Sequence, residues 1–99
     1  MKKLFISQPM NGKSDEEILR EREKAIEEAK KALGEDVEVI DSFFKSAPAN
    51  ARRPLWFLGK SLELLSTADI AYFAQGWEEA RGCRIEHECT VEYGINRID

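Results

Sequence analysis

The sequence predicts an α/β fold in which a parallel sheet of three to four strands lies between layers of helix. Short apolar runs alternate along the chain with longer segments in which apolar residues recur at helical spacing. The resulting order is β-α-β-α-β-α with a possible last strand. Such alternation is typical of parallel sheets, because parallel strands need helical crossovers. With 99 residues and no internal repeat, residues 1–99 are expected to form one domain, a Rossmann-like three-layer sandwich.

Local signals in the first half of the chain predict two strands and the helix between them. Residues 3–7 form a short apolar run that ends before Pro9, as expected of a buried strand. Ser14 and Glu17 have the spacing of a capping box at a helix N-terminus, and Gly34 is placed to end the same helix. The second strand is predicted from an apolar run that contains Val37, Val39 and Ile40.

The second half of the chain carries the remaining elements. Pro54 suits the first turn of a second helix, and residues 69–74 predict a third strand that is apolar on both faces. A third helix is expected to begin near Gly82 and to end before Gly94. Residues 95–98 are a possible fourth strand.

Composition and charge argue against several classes of function. The formal net charge is −4 and basic residues are interleaved with acidic ones, so a nucleic-acid polymer is not an expected partner. No apolar run is long enough to cross a membrane, and the start of the chain lacks the pattern of a signal peptide. Two cysteines without an export signal predict reduced thiols in the cytoplasm.

The predicted topology places three loops on one rim of the domain. Ligands of open parallel sheets bind outside the carboxyl ends of the strands, and the loops that leave those ends span residues 7–14, 41–53 and 75–82. In the second loop, Phe43 and Phe44 can stack on a base or cover the core, and the packing role is favoured because aromatic side chains bury a large area.

Residues 81–94 concentrate polar chemistry, with two cysteines, the only histidine and three glutamates. A zinc site is disfavoured because Cys83 and Cys89 are six residues apart, which separates them by about 120° around a helix. The glutamates on either side of His87 point away from it, because adjacent helical side chains diverge. We therefore expect no metal site here.

A thiol nucleophile is a second interpretation of the same stretch. Cys83 lies near a predicted helix N-terminus, which lowers the pKa of a thiol. However, nothing in the sequence places His87 as a base with an orienting third group. A buried and inert thiol is therefore the favoured interpretation of Cys83.

A carboxylate site at Glu86 is the third interpretation. Glu86 lies one turn into the predicted third helix, where the helix dipole favours its ionised form. Its side chain is expected to lean toward the ligand rim, where Gly82 lets the backbone approach a ligand closely. Such a carboxylate can act as a nucleophile or stabilise an oxocarbenium ion in N-glycosidic cleavage. Spacing alone nevertheless favours an ordinary solvated helix glutamate.

Three motifs occur in the order and at the spacing of a known family. The first strand runs into a loop of small residues, proline and glycine at residues 6–12. The stretch 68–77 begins with Ala-Asp and ends with Gly-Trp, and Gly82 precedes Glu86 by four residues. Over nearly its whole length the chain resembles the nucleoside 2-deoxyribosyltransferase superfamily. It looks closest to a compact branch of small bacterial and phage-associated proteins.

The resemblance implies an activity and a set of site residues. In the transferases and in the related deoxynucleotide N-hydrolases, the glutamate that follows the glycine is the nucleophile, and Glu86 stands at the matching position. The loop after the first strand contacts the base or sugar in that family, and the matching residues here are Ser7, Gln8, Met10 and Gly12. A structural role as the entry to the first helix is equally favoured for these residues, since loops on this rim carry both roles. No cofactor is expected. A homo-oligomer is implied, because those enzymes complete their sites with residues of a neighbouring subunit.

Two positions depart from the family pattern. Ser61 stands where the transferases carry an aspartate that helps to hold the nucleoside, and Ala80 stands where they carry an acidic residue. Arg81 can meet the phosphate of a nucleotide or simply face solvent. Trp77 can wall the pocket or pack against the second helix, and Asp69 is expected to bond local amides at the start of the third strand.

Three functions stay open at this stage. The first is binding of a nucleoside or nucleotide with cleavage or exchange of its N-glycosidic bond, in which Glu86 attacks C1′ of the sugar. The second is a non-catalytic module that senses a nucleotide through a degenerate active site, as the changes at Ser61 and Ala80 suggest. The third is an interaction protein with a vestigial site.

Overall fold

The computed structural model describes residues 1–42 and 54–99, and these residues form an α/β fold. Its strands are β1 (Lys2–Ser7), β2 (Val37–Val39), β3 (Ile70–Phe73) and β4 (Asn96–Ile98). Its helices are α1 (Asp15–Leu33), α2 (Pro54–Leu65) and α3 (Arg81–Tyr93), with a 3-10 turn at Trp77–Glu79. The strands pair in parallel in the order β2-β1-β3-β4. This confirms the predicted Rossmann-like three-layer sandwich.

Strand β1 occupies the centre of the sheet and sets its register. Leu4 pairs with Val39 of β2 on one side and with Ile70 of β3 on the other. Ser7, the last residue of β1, pairs with Phe73 at the end of β3. Because the strands are parallel, their carboxyl ends meet at one edge of the sheet, which we call the carboxyl edge.

Each face of the sheet is covered by a separate apolar core. On one face, Ala25 and Ala29 of α1 pack against the buried strand residues Leu4, Ile6, Val37 and Ile70. The opposite face packs against α2 and α3 through Phe5, Leu65, Ala71 and Phe73. Side chains alternate along a strand, so Ser7 lies on the same face as Phe5, toward α3.

The predicted helix caps are present. The Ser14 hydroxyl accepts the amide N–H of Glu17 at 3.2 Å and donates to the Glu17 carboxylate at 3.3 Å, so Glu17 reaches the hydroxyl of Ser14. Gly34 ends α1 at φ 70°, and its N–H donates to the carbonyl of Lys30 at 2.8 Å. Gly94 ends α3 at φ 69°. Left-handed backbone of this kind favours glycine.

Strand β3 starts one residue later than predicted, and the reason lies in Asp69. The Asp69 carboxylate accepts the amide N–H of Lys3 at 2.8 Å, and its own amide donates to the Lys3 carbonyl at 2.9 Å. Asp69 therefore ties the start of β3 to β1 instead of bonding local amides.

Within residues 1–42 and 54–99, no helix combines the length and apolar character needed to cross a bilayer.

Candidate functional site

A buried hydrogen bond between Ser7 and Glu86 forms the centre of the candidate site. The Ser7 hydroxyl donates to Oε1 of Glu86 at 2.7 Å. Glu86 is only 7% exposed and Ser7 only 2%. Since Ser7 ends the central strand and Glu86 lies in the first half of α3, the pair sits at the carboxyl edge of the sheet. This is where the topology predicts a ligand.

Burial controls the ionisation of Glu86. Loss of hydration raises the pKa of its carboxyl group to about 7, while the hydrogen bond from Ser7 acts in the lowering direction. The solvated helix glutamate that spacing alone favours is therefore wrong, and the net shift of the Glu86 pKa is upward although a helix dipole favours the ionised form. Desolvation of a charge outweighs a dipole effect that is worth about 0.3–1 kcal/mol at a helix end.

Cys83 lies one turn before Glu86 and is buried. Burial raises the pKa of its thiol, the charge of Glu86 raises it further, and Ser7 and Lys13 lower it. The helix N-terminus thus does not make Cys83 a reactive thiolate, which agrees with the favoured interpretation of an inert thiol. Cys83 instead forms part of the surroundings of the Ser7–Glu86 pair.

His87 makes a stacking contact with Trp77 and a polar contact with Asp99. Its imidazole stacks on the indole of Trp77, with ring centroids 4.0 Å apart, and its Nε2 lies 2.7 Å from Oδ2 of Asp99. The sequence offered no orienting group for this histidine, and the structure provides one from the chain end beyond β4. Trp77 thus packs on His87 of α3 and on Phe73 of β3, and its role as a pocket wall stays a prediction. Among the described residues, no three His, Cys, Asp or Glu side chains are placed to hold a metal ion.

Gln8 is turned away from the Ser7–Glu86 pair. Its amide nitrogen donates to the carbonyl of Ile18 at 3.1 Å, and its carbonyl oxygen accepts from the Arg22 guanidinium at 3.1 Å. Arg22 also donates to the carbonyl of Ile40 at 3.3 Å. Both ends of the Gln8 amide are therefore engaged with α1, and the structure gives Gln8 a role in fastening the first loop.

The loops after β1 and β3 touch at the carboxyl edge. A Cβ added to Gly76, whose φ is 90°, would lie 3.6 Å from the ring of Pro9. The amide of Ala74 donates to the carbonyl of Ser7 at 2.9 Å. These contacts bring two of the three predicted rim loops together, next to Ser7.

The remaining predicted site residues differ in their exposure. Met10 and Arg81 are exposed, Ser61 and Gly82 are half-buried, and Gly12 has a φ of 76°. A side chain added to Gly82 would meet no atom within 4 Å, so the backbone there faces open space. Phe43 and Phe44, with most of the loop 41–53, lie outside the described residues.

Ser42 is a buried polar residue that sequence reasoning missed. It follows β2 at the carboxyl edge, is 5% exposed, and its hydroxyl has no hydrogen-bond partner in the described part of the chain. No motif or spacing distinguishes this serine in the sequence, because its burial depends on packing between distant elements. A buried hydroxyl left unpaired costs about 1–3 kcal/mol.

A shallow groove of about 440 Å³ lies elsewhere, beside β4 and the end of α3, with Thr90, Ile95 and Arg97 among its walls. It is wide open to solvent and lacks the Ser7–Glu86 pair. We therefore place the candidate site at the carboxyl edge.

Fold and site together define a Rossmann-like α/β protein with a buried, titratable carboxylate at the carboxyl edge of its sheet. Comparison of the chain with family models, with curated proteins and with solved structures found no match in any of the three.

Proposed function

We propose that the protein binds a nucleoside or nucleotide and cleaves or exchanges its N-glycosidic bond, with Glu86 as the nucleophile. The observation that carries the proposal is the buried Ser7–Glu86 hydrogen bond of 2.7 Å at the carboxyl edge. The class of reaction comes from the resemblance of Gly82, Glu86 and the rim loops to the nucleoside 2-deoxyribosyltransferase superfamily.

The two oxygens of the Glu86 carboxylate have different surroundings. Oε1 accepts the hydrogen bond from Ser7. Oε2 accepts none from the described residues, and it is not among their fully buried unpaired atoms. Ser7 thus fixes one oxygen, and the other accepts no hydrogen bond from the described residues. A nucleophile held in this way loses little freedom when it attacks.

Burial of Glu86 also favours this reaction electrostatically. Cleavage of an N-glycosidic bond develops positive charge on the sugar. Burial destabilises the ionised carboxylate, as its pKa of about 7 indicates. A carboxylate with little hydration also attracts a positive charge more strongly than a hydrated carboxylate does. The interaction therefore strengthens on the way to the transition state, which is the condition for catalysis.

The proposed reaction has two steps. Oε2 of Glu86 forms a bond to C1′ while the base departs with the electron pair of the C1′–N bond and takes up a proton from solvent. Water then attacks C1′ of the glycosyl ester and returns a proton to solvent, which releases the sugar, restores the carboxylate and completes hydrolysis. A second base in place of water completes an exchange.

Release of free base from a panel of ribo- and deoxyribonucleosides and their monophosphates tests the proposal. We expect turnover by the wild-type protein and its loss in Glu86→Gln. Because the nucleophile must be ionised, the wild-type rate should rise as pH increases through about 7. Glu88→Gln is the matched control, since Glu88 is an exposed glutamate on the same helix. Equal rates in wild type and Glu86→Gln on every substrate would contradict the proposal.

A non-catalytic nucleotide-sensing module is the second candidate function. The serine at position 61 and the alanine at position 80 support it, because the transferases carry acidic residues at these places. Thermal stabilisation by a nucleotide without base release would identify this function, since a ligand of the native state raises stability by mass action.

A homo-oligomer is also part of the proposal. The resemblance implies that a neighbouring subunit completes the site, and large apolar side chains are available at the surface. Leu55 of α2 is 70% exposed, and Ile85 and Val91 of α3 are 38% and 47% exposed. Light scattering of the purified protein should therefore give a mass above that of one 11.3 kDa chain.

A further inference from the structure

Ser42 carries a buried hydroxyl that no other described residue satisfies. The residue is 5% exposed, and its Oγ is fully buried without a hydrogen-bond partner. Nearly all buried polar groups in folded proteins are paired, so an unpaired group calls for a partner other than the described residues, such as a bound ligand. The position of Ser42 beyond the end of β2 indicates what that partner is.

The register of the sheet places Ser42 beside Ser7. Leu4 of β1 pairs with Val39 of β2, and the amide of Ile40 continues the ladder by donating to the Leu4 carbonyl at 2.9 Å. Ser7 and Ser42 each lie three residues beyond the Leu4–Val39 pair. Strand β2 ends at Val39, and continuing its register by three residues sets Ser42 opposite Ser7 at the carboxyl edge, where neighbouring strands are about 4.8 Å apart.

The alternation of side chains puts Ser42 on the face that holds the candidate site. Ile40 packs into the core that faces α2 and α3. The charge of Asp41 acts on Arg22 of α1, which covers the opposite face. Continued alternation returns Ser42 to the face of Ile40, and this is the face on which Ser7 meets Glu86.

We propose that Ser42 is a specificity-determining residue whose hydroxyl binds the 2′- or 3′-hydroxyl of the substrate sugar while Glu86 faces C1′. This inference rests on the proposed function. A serine hydroxyl donates and accepts, as a sugar hydroxyl does, so the two groups satisfy each other.

The stability of Ser42→Ala without ligand is the first test. Removal of an unpaired buried hydroxyl removes a desolvation cost, so the melting temperature should stay the same or rise by a few degrees. Ser66→Ala is the matched control, because the exposed Ser66 hydroxyl donates to the Glu63 carbonyl at 2.5 Å and its loss should lower the melting temperature slightly. A fall of several degrees in Ser42→Ala would mean that the hydroxyl has a structural partner, and it would overturn the proposal.

Binding of sugar-modified nucleosides is the second test. Glu86→Gln prevents turnover, so dissociation constants can be measured for a ribonucleoside and its 2′-deoxy, 3′-deoxy and 2′,3′-dideoxy forms. Adding Ser42→Ala should weaken binding about tenfold for the two forms that carry the contacted hydroxyl and leave binding of the two forms that lack it unchanged. Ser66→Ala in the same background should change none of the four.

The outcomes separate the two proposals. One outcome is that nucleosides bind and are turned over, while Ser42→Ala leaves all four dissociation constants unchanged or raises all of them by the same factor. This result would overturn the role of Ser42 and leave the proposed function standing. Failure of every nucleoside and nucleotide to bind to wild type or to Glu86→Gln would overturn both. If Ser42→Ala lowers the affinity only for nucleosides that carry one particular sugar hydroxyl, the result supports both proposals and identifies that hydroxyl as the one Ser42 binds.

Discussion

The carboxyl group of Glu86 is under two opposed influences. Burial favours its neutral form, and the hydrogen bond from Ser7 favours its ionised form, with burial the larger effect. With a pKa of about 7 it is half ionised at neutral pH. A buried carboxyl group of this kind links the stability of the protein to pH.

Glu86→Gln should show this linkage in the free energy of unfolding. The folded pKa of about 7 lies above the ordinary value of 4.5, so between these values the folded state binds more protons than the unfolded state. Wild-type stability therefore falls as pH rises through this window, by about 3 kcal/mol in all. Glu86→Gln does not titrate, so its stability relative to wild type should increase by that amount between about pH 4 and about pH 8.

Urea denaturation over this pH range checks the linkage without a ligand. Glu88→Gln is the control, because an exposed glutamate should give a nearly constant difference from wild type. A pH-independent difference for Glu86→Gln as well would show that Glu86 titrates as an ordinary surface carboxylate.

Ser7→Ala should raise the pKa of Glu86 further, because it removes the one bond that favours the ionised form. It should also cost about 1–3 kcal/mol of stability at neutral pH, since it leaves a buried carboxylate oxygen unpaired. Titration of the Glu86 side-chain carbon by NMR measures the first effect and urea denaturation the second. A lower pKa in Ser7→Ala would contradict the assigned direction of this hydrogen bond.

Helix α3 carries the site on its first half, and two glycines near its ends have different conformational demands. Gly94 ends the helix at φ 69°, in the left-handed region. Gly82 lies inside the helix, has no positive φ, and faces open space. The end of the helix therefore requires a glycine for conformational reasons, whereas its beginning does not.

A matched pair of alanine substitutions tests this difference. Gly94→Ala should lower the free energy of unfolding by about 1–2 kcal/mol, because the Cβ of alanine is sterically strained in a left-handed conformation. Gly82→Ala should leave it unchanged or raise it by up to about 1 kcal/mol through helix propensity. If Gly82→Ala is the more damaging change in urea denaturation, the backbone at position 82 is more confined than the structure indicates.

At the scale of the whole molecule, Arg22 joins three parts of the chain. Its guanidinium on α1 donates to Gln8 in the loop after β1 and to the carbonyl of Ile40 beyond β2. Arg22 is 7% exposed; burial lowers the pKa of its guanidinium, and Asp41 opposes that shift. The network holds two rim loops on the α1 side of the carboxyl edge.

Arg22→Met should therefore destabilise the protein by about 2–4 kcal/mol, because it leaves the acceptors on Gln8 and Ile40 without their donor. Arg20→Met is the control, since Arg20 is exposed two residues earlier on the same helix, and it should change stability by less than about 0.5 kcal/mol. Thermal unfolding of the two variants checks the difference. Similar melting temperatures would mean that the network contributes little.

The elements were predictable because their signals are local. The box at Ser14, the glycines at positions 34 and 94, and Pro54 define helix ends through contacts within about four residues. Predicted strand and helix ends agree with the structure to within one or two residues. The alternation of strands and helices then leaves few topologies, of which the parallel sheet is one.

The sequence by itself thus determined the fold class, the ends of its elements and Glu86 as a candidate. Only the tertiary structure decided that Ser7 holds Glu86 across 79 positions of sequence, that Gln8 turns toward α1, and that His87 meets Asp99. The physical reason is the range of the interactions. Helix caps and periodicity act over one or two turns, whereas burial, desolvation and long-range partners exist only once distant segments have packed together.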